Sequence, residues 1–160
     1  MLKFQNKTSL ITGSGTGIGQ AIAKKFVENG GSVIILGRRR EPLDETAKML
    51  ESIIAENGSG ANVRIFSGVD VSDENSMNKM FEDLKNDNVT VDHIINNAGV
   101  SGPVTCFPNA PLDEFKSTIG IHLTGTFWGS VQALKVMKEG GKIITISTFF
   151  TEERPLEQRP

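Results

Sequence analysis

The chain of 160 residues is long enough to bury the core of one domain, and 38% of its residues are hydrophobic. Its formal net charge of -2 gives no reason to expect nucleic acid or an anionic membrane as a partner, and no apolar run approaches the ~20 residues of a membrane span. Cys106 is the single cysteine, which excludes an intramolecular disulfide, and without a signal-like apolar stretch after Met1 we expect a cytoplasmic location.

Short runs of β-branched and apolar residues predict strands at 9–12, 33–36, 63–66, 93–96 and 142–147. Between the first four runs, apolar residues recur at helical spacing. They are Ile18, Ala21, Ile22 and Phe26, then Leu43, Ala47, Leu50 and Ile54, then Met77, Met80, Phe81 and Leu84. Strands and helices that alternate in this way predict an α/β fold, a three-layer doubly wound parallel sheet formed by residues 1–160 as one domain.

Residues typical of helix ends agree with this order. Gly30-Gly31 is expected to end the first helix and the segment 57–60 the second, while Ser72 is the predicted N-cap of the third. The segment 115–138, interrupted by three glycines, predicts a longer helix against which another element packs closely.

The segment "TGSGTGIG", 12–19, joins the first strand to the first helix and is typical of a phosphate-binding loop. Its glycines let the backbone approach a pyrophosphate, whose charge is favoured at a helix N-terminus. A Walker loop is excluded, because no lysine follows these glycines before Lys24. The spacing Gly-x-Gly-x-x-Gly fails as well, since counting from Gly13 and Gly15 places Ile18 last.

The pattern Thr-Gly-x-x-x-Gly-Ile-Gly resembles that of the short-chain dehydrogenase/reductase family. Four more segments are similar to that family in the right order: Asp70-Val71, "NNAG" at 96–99, "GIHLTGTF" at 120–127 and "GGKIITIST" at 140–148. The resemblance implies a Rossmann fold that stops after the fifth strand. It implies cofactor contacts from Gly13, Ser14, Thr16, Gly17, Ile18 and Gly19, from Asp70 and Val71 beside the adenine, and from Asn97, Ala98 and Gly99.

The end of the second strand reads Gly37-Arg38-Arg39-Arg40. In dinucleotide-binding folds a carboxylate here holds the ribose 2′-hydroxyl of NAD, whereas an arginine accommodates the 2′-phosphate of NADP. No carboxylate is present, and cations before a helix oppose its dipole unless an anion lies among them. NADP is therefore the predicted cofactor, NAD is less favoured and no metal is predicted. Arg38 is the leading contact, with Arg39 second and Gly37 beside them.

Members of that family transfer hydride to or from a carbonyl carbon while a tyrosine moves the proton, helped by a lysine, a serine and an asparagine. The resemblance places the pair Ser147 and Thr148 at the serine, with Thr148 at the catalytic position. It places His122 at the asparagine. Ordinary strand-end residues and a structural histidine remain the alternative interpretations.

The 160 residues contain no tyrosine. In the family's spacing, counted from Thr148, the tyrosine would fall at or just past Pro160. We therefore expect an NADP-dependent oxidoreductase of carbonyl or alcohol small molecules, homo-oligomeric at full length, whose sequence is cut short and inactive alone. Two alternatives remain open: a reductase of enoyl or dienoyl thioesters in the same family, and a non-catalytic dinucleotide-binding or scaffolding protein.

Overall fold

One parallel sheet organises the chain. The structure, a computed structural model, describes residues 2–103 and 105–147. Within them the strands are β1 (Thr8–Thr12), β2 (Ser32–Gly37), β3 (Val63–Ser67), β4 (Val91–Asn96) and β5 (Met137–Thr145). Their order across the sheet is β3-β2-β1-β4-β5, and all neighbours pair in parallel. The predicted α/β, Rossmann-type architecture is confirmed.

Helices connect the strands. They are α1 (Gly17–Glu28), α2 (Arg40–Asn57), α3 (Glu74–Asn86), α4 (Leu112–Ile119) and α5 (Gly125–Ala133). A π-helical turn, Gly120–Thr124, joins α4 to α5, and a short 3₁₀ turn, Phe107–Asn109, precedes α4. Across the described ranges 2–103 and 105–147, none of the helices combines the length and apolar character needed to cross a membrane.

The sheet separates two apolar cores. Adjacent residues of a strand point to opposite faces, so Leu10, Ile34 and Ile94 join one core while Ile11, Ile35 and Ile95 join the other. The first core is closed by α3 through Met77, Met80, Phe81 and Leu84. The second is closed by α1 and α2, including Phe26, Leu43 and Leu50. This confirms the predicted faces of α2 and α3 at most positions.

The predicted face of α1 is wrong at Ile18 and at Ala21, which are both exposed. The helix buries Gly19, Ala23, Phe26 and Val27, whereas Ile18 is 62% exposed. The first turn of α1 lies at the carboxyl edge of the sheet, where Ile18 borders a cleft instead of the core. An apolar residue in that turn therefore does not mark the buried side of the helix.

Helix ends agree with the sequence with one correction. The second helix ends at Gly58, whose backbone is left-handed, and the first ends just before Gly30. The N-cap of α3 is Asp73, whose carboxylate accepts a hydrogen bond from the backbone N–H of Asn75 at 3.1 Å. Ser72, the predicted cap, instead donates its hydroxyl to Asp70 at 2.6 Å.

The predicted helix over 115–138 is wrong in extent. Its helical part begins at Leu112, contains the π-helical turn and ends at Ala133. The expected close packing is present, because a Cβ on Gly125 would lie 2.9 Å from the Val71 side chain. Strand β5 then begins at Met137, earlier than predicted, and its register with β4 shifts between Val91 and His93.

Candidate functional site

A cleft of about 360 Å³ opens where the loops after β1, β2, β3 and β4 meet. Because β1 lies between β2 and β4, the chain reverses its winding direction here, which leaves a crevice at the carboxyl ends of the strands. Eleven of the residues predicted for cofactor binding line it: Gly13, Thr16, Ile18, Gly37, Arg38, Arg39, Asp70, Val71, Asn97, Ala98 and Gly99. The other three, Ser14, Gly17 and Gly19, belong to the same loop but are not among the lining residues.

Ser14 holds the loop after β1 from inside the protein. Its side chain is fully buried. The hydroxyl donates to the carbonyl oxygen of Ile11 at 2.9 Å and accepts from the N–H of Leu36 at 2.9 Å. The predicted cofactor contact therefore does not involve this hydroxyl. The hydroxyl instead ties the loop after β1 to the ends of β1 and β2.

Asn97 fastens the loop after β4 to the loop after β1. Its side-chain amide donates to the carbonyl oxygens of Thr12 at 2.9 Å and Gly13 at 3.1 Å. In return the hydroxyl oxygen of Thr12 accepts the backbone N–H groups of Asn97 and Ala98, both at 2.9 Å. These four hydrogen bonds set the distance between the two loops and hence the shape of the cleft.

Gly19 allows this junction to be tight. A Cβ at this position would lie 2.5 Å from the carbonyl oxygen of Gly13 and 2.6 Å from the amide nitrogen of Asn97. Any larger residue would displace backbone on one side and the Asn97 side chain on the other. Because Gly19 has no side chain, α1 can pack directly against the backbone of Gly13 and the side chain of Asn97.

The first turn of α1 begins at the cleft, which Thr16 and Ile18 line. A helix leaves its first four N–H groups without intrahelical partners, and its dipole favours negative charge there. Thr16 is the N-cap and its side chain makes no capping hydrogen bond within the described residues. The carbonyl oxygen of Gly15 is tied to α2 by the Thr46 hydroxyl at 3.0 Å. The turn is therefore held in place with its donors available to an anion.

Two arginines line the rim at the end of β2. Arg38 and Arg39 both border the cleft, and the Arg38 side chain is 64% exposed. Arg40 differs, because it lies outside the lining and its Nε donates to both carboxylate oxygens of Asp44 at 2.7 and 2.8 Å. Of the three consecutive arginines, the first two are placed to meet a ligand.

Asp70 faces Arg38 from the loop after β3. Burial opposes its ionisation, but hydrogen bonds from the hydroxyl and N–H of Ser72, together with the charge of Arg38, outweigh burial and hold the pKa of Asp70 below its usual value. Its Oδ2 lies 3.9 Å from Nη1 of Arg38. The cleft therefore carries one fixed anion opposite its cations.

Two of the three residues predicted for catalysis, His122 and Ser147, lie within the described residues. His122 lies in the π-helical turn, with Nε2 3.0 Å from the backbone nitrogen of Val100 and 2.7 Å from its carbonyl oxygen. The tautomer decides whether Nε2 accepts from the N–H or donates to the carbonyl. Ser147 is exposed just after β5. Thr148 lies outside the described residues.

Several lining or supporting residues were not predicted as site residues from the sequence. They are Thr12, Gly15, Pro42, Leu43, Thr46, Val69, Val100 and Ile121. Thr12 begins the glycine-loop pattern, but its partner Asn97 is distant along the chain, as Gly15 is from Thr46, so the pattern does not reveal these hydrogen bonds. The others face the cleft because the loops converge there.

A family model described as short chain dehydrogenase matches residues 7–158. The chain belongs to the short-chain dehydrogenase family. Members of this family are oxidoreductases that use NAD or NADP, and the match covers all four loops that form the cleft.

Individual relatives agree with the family match. YxbG, an uncharacterized oxidoreductase of Bacillus subtilis, is 38% identical, with 92% of this chain and 52% of that protein covered. An NADP-dependent (R)-specific alcohol dehydrogenase of Lentilactobacillus kefiri is 30% identical over 91% of this chain and 56% of its own length. NAD+-bound xylitol dehydrogenase superposes with a TM-score of 0.84 at 26% identity, over 96% of this chain and 57% of that one. The chain thus spans about half the length of the curated relatives it matches.

The cleft residues fit a nicotinamide dinucleotide. The glycine-containing loop 13–16 leads into the open amides at the start of α1, which suits a pyrophosphate. Arg38 and Arg39 offer cations at the far rim, and the segment 97–100 closes the opposite side. Phosphate groups and an adenosine therefore have complementary surroundings in this cleft.

Proposed function

We propose that this cleft binds NADP and that the protein uses it to transfer a hydride between the nicotinamide and a small carbonyl or alcohol substrate. The observation that carries the proposal is the pair Arg38 and Arg39 on the rim, at a position where Gly37 supplies no carboxylate. A guanidinium binds phosphate with directed hydrogen bonds, whereas a carboxylate would repel it. Arg39 is also the N-cap residue of α2, whose dipole disfavours a cation there unless an anion lies nearby.

Each part of the cofactor has proposed partners on this chain. The amides of Thr16, Gly17, Ile18 and Gly19 would hold the pyrophosphate, on a loop fixed by Gly13 and Ser14. Asp70 and Val71 would border the adenine, and Asn97, Ala98 and Gly99 the nicotinamide end. When bound, the nicotinamide accepts or supplies the hydride. The chain's own residues orient it and exclude water from one side.

A titration of NADPH and NADH by cofactor fluorescence tests the preference. The parent chain is expected to bind NADPH at least about tenfold more tightly, since a hydrogen bond to a charged group contributes about 1.5 kcal/mol or more. Arg38→Asp should reverse the order, because it places a carboxylate beside the ribose. Arg40→Gln is the matched control, since that arginine is paired with Asp44 outside the cleft, and should keep the preference. Equal affinities in the parent would reject the NADP proposal.

For the chemical step, the 160 residues offer Ser147, Thr148 and His122 but no tyrosine. A positioned acid contributes about 10²- to 10⁴-fold to such reactions. We therefore expect the chain alone to oxidise NADPH no faster than the uncatalysed reaction when a ketone is the substrate. The same is expected with an enoyl thioester, the substrate of the alternative reductase. Turnover of a ketone that is lost in His122→Ala or Thr148→Ala would show that these residues form an acid site of their own.

The lack of tyrosine also supports a second candidate, dinucleotide binding without catalysis. On that hypothesis the chain binds cofactor with the same preference but never turns over. A version extended beyond Pro160 with a tyrosine and lysine at the family's spacing separates the two. Turnover by the extended version supports the oxidoreductase, whereas binding without turnover supports the second candidate.

We also propose a homo-oligomer, on the exposed apolar residues of α4, the π-helical turn and α5. Residues at helical spacing are exposed along this stretch: Leu112, Phe115, Ile119, Leu123 and Phe127. An apolar row of this length is typical of a surface that pairs. Sedimentation is expected to show association that the double substitution Leu123→Glu with Phe127→Glu abolishes. A monomeric parent would reject this proposal.

A further inference from the structure

Arg38 and Asp70 form a loose ion pair across one end of the cleft. They come from the end of β2 and from the loop after β3, and both line the cleft. We infer that Asp70 limits the preference of the cleft for a 2′-phosphorylated adenosine, because it competes with that phosphate for Arg38. The inference rests on the proposed function, since it concerns the adenosine end of the same site.

Asp70 is held rigidly on its own loop. Its Oδ1 accepts the N–H of Ser72 at 2.9 Å and the Ser72 hydroxyl at 2.6 Å. Its own N–H donates to the hydroxyl of Ser76 at 3.2 Å. With one oxygen fixed in this turn, the other, Oδ2, faces Arg38. The carboxylate is thus a preorganised acceptor that needs no rearrangement to attract the guanidinium.

Arg38 is less constrained than its partner. Its side chain is 64% exposed, against 34% for Asp70, and the closest approach of 3.9 Å is too long for a hydrogen bond. A 2′-phosphate would offer the guanidinium shorter, charge-assisted contacts. Binding that phosphate therefore draws Arg38 away from Asp70 and leaves a fixed negative charge close to the new anion. Both effects weaken phosphate binding and leave an unphosphorylated ribose unaffected.

The neighbouring pair Arg40 and Asp44 provides a control. It is also an exposed arginine–aspartate pair, but it is closely hydrogen-bonded, since the Nε of Arg40 is 2.7 and 2.8 Å from the two carboxylate oxygens of Asp44. Neither residue lines the cleft. Neutralising Asp44 therefore changes the net charge of the protein by the same amount as neutralising Asp70, without altering the surroundings of a bound adenosine.

The test compares the dissociation constants of adenosine 2′,5′-bisphosphate and 5′-AMP, measured by calorimetry on the 160-residue chain. Their ratio cancels contacts with the adenine, including any that Asp70 makes. Asp70→Asn, which keeps an oxygen for Ser72, is expected to raise the preference for the bisphosphate by about fivefold, the upper range for exposed charge pairs. Asp70→Ser should shift the ratio in the same direction, and Asp44→Asn should leave it unchanged. In an Arg38→Gln background the effect of Asp70→Asn should shrink.

The outcomes separate the two proposals. If both Asp70 variants bind each ligand but their preference for the bisphosphate is unchanged or lower than that of the parent, the inference is overturned and the proposed function stays intact. A parent that favours 5′-AMP, yet shifts toward the bisphosphate in Asp70→Asn, rejects NADP as the cofactor and supports the inference. Failure of the parent to bind either ligand overturns both. If Asp70→Asn has the same effect in the Arg38→Gln background, Asp70 repels the 2′-phosphate directly. The proposed competition for Arg38 is then rejected.

Discussion

Strands β4 and β5 are neighbours in one sheet, yet they differ in burial along their length. Ile94 of β4 is fully buried, whereas Ile143, its register partner on β5, is 42% exposed. The helices differ in the same way, since α3 buries four residues and α4 buries none of those described. Pairing into a sheet satisfies the backbone of a strand, but only a covering layer buries its side chains. The region β1–β4 has that layer on both faces.

The largest expected effect tests this contrast directly. Ile94→Ala should lower the free energy of unfolding by about 4 kcal/mol, because it removes buried methyl groups and leaves a cavity. Ile143→Ala should lower it by about 1 kcal/mol, since its side chain is already partly in water. The two residues have the same chemistry and lie side by side. Urea unfolding followed by circular dichroism gives both values, and equal losses would mean that β5 is covered in solution.

A second pair of substitutions tests whether the loops of the cleft belong to the well-packed region. Thr12→Val removes the oxygen that accepts the amides of Asn97 and Ala98, and should cost about 3 kcal/mol. Thr118→Val on α4 removes an exposed hydroxyl that donates to the Glu114 carbonyl oxygen, and should change stability by less than about 0.5 kcal/mol. Urea unfolding of both variants measures the difference. A small effect at Thr12 would show that water replaces this hydroxyl easily.

The sequence predicts the covered region better than the uncovered one for a physical reason. Strands β1, β2 and β4 are mostly buried and β3 is half-buried, and their apolar residues mark all four to within two residues at each end. Strand β5 begins with the polar segment 137–142, which contains two glycines and resembles a turn. At the edge of the sheet no burial selects apolar residues there. The pattern on which strand prediction depends is therefore missing.

The candidate site, too, could be predicted from the sequence only in part. The glycine loop 13–19 could be placed from sequence because its spacing records a backbone requirement, the close approach beneath Gly19. The hydrogen bonds that fix the loop could not be predicted, since Thr12 meets Asn97 across 85 positions of the chain. The pairing of Arg38 with Asp70 is of this kind as well. Such contacts depend on strand order, which local patterns do not contain.

Asp92 joins the two regions and gives the next prediction. It is buried and accepts hydrogen bonds from Lys7 and the Thr8 amide at 2.9 Å each, and from Lys138 of β5 at 3.3 Å. Burial opposes its ionisation, but the Thr8 amide and the two lysines outweigh burial and lower the pKa of Asp92. Its contribution to stability is therefore complete above the unfolded pKa of about 3.9 and is lost as the pH falls through the lower folded pKa.

Asp92→Asn should accordingly cost about 2 kcal/mol at neutral pH, the size expected for hydrogen bonds to a charged group, and weaken the loss of stability in acid. Unfolding by urea from pH 7 down to pH 2 measures both quantities. Lys7→Met should cost more than Lys138→Met, because the shorter contact belongs to the covered region. If the free energy of unfolding of the Asp92→Asn variant falls between pH 7 and pH 2 as much as that of the parent, other carboxyl groups cause the pH dependence.

The smallest expected effect compares two glycines in left-handed backbone, Gly58 after α2 with φ of 60° and Gly140 in β5 with φ of 76°. A Cβ at either position would meet no atom within 4 Å, so alanine introduces backbone strain alone. Gly58→Ala should cost about 1 kcal/mol, because α2 is packed and cannot relax. Gly140→Ala should cost less than about 0.5 kcal/mol, since an uncovered edge strand can open locally and release the strain. Urea unfolding of both variants is the measurement, and hydrogen exchange at β5 amides checks the local opening. Equal costs, with β5 amides as protected as those of β4, would mean that exposure of its side chains does not loosen the backbone of β5.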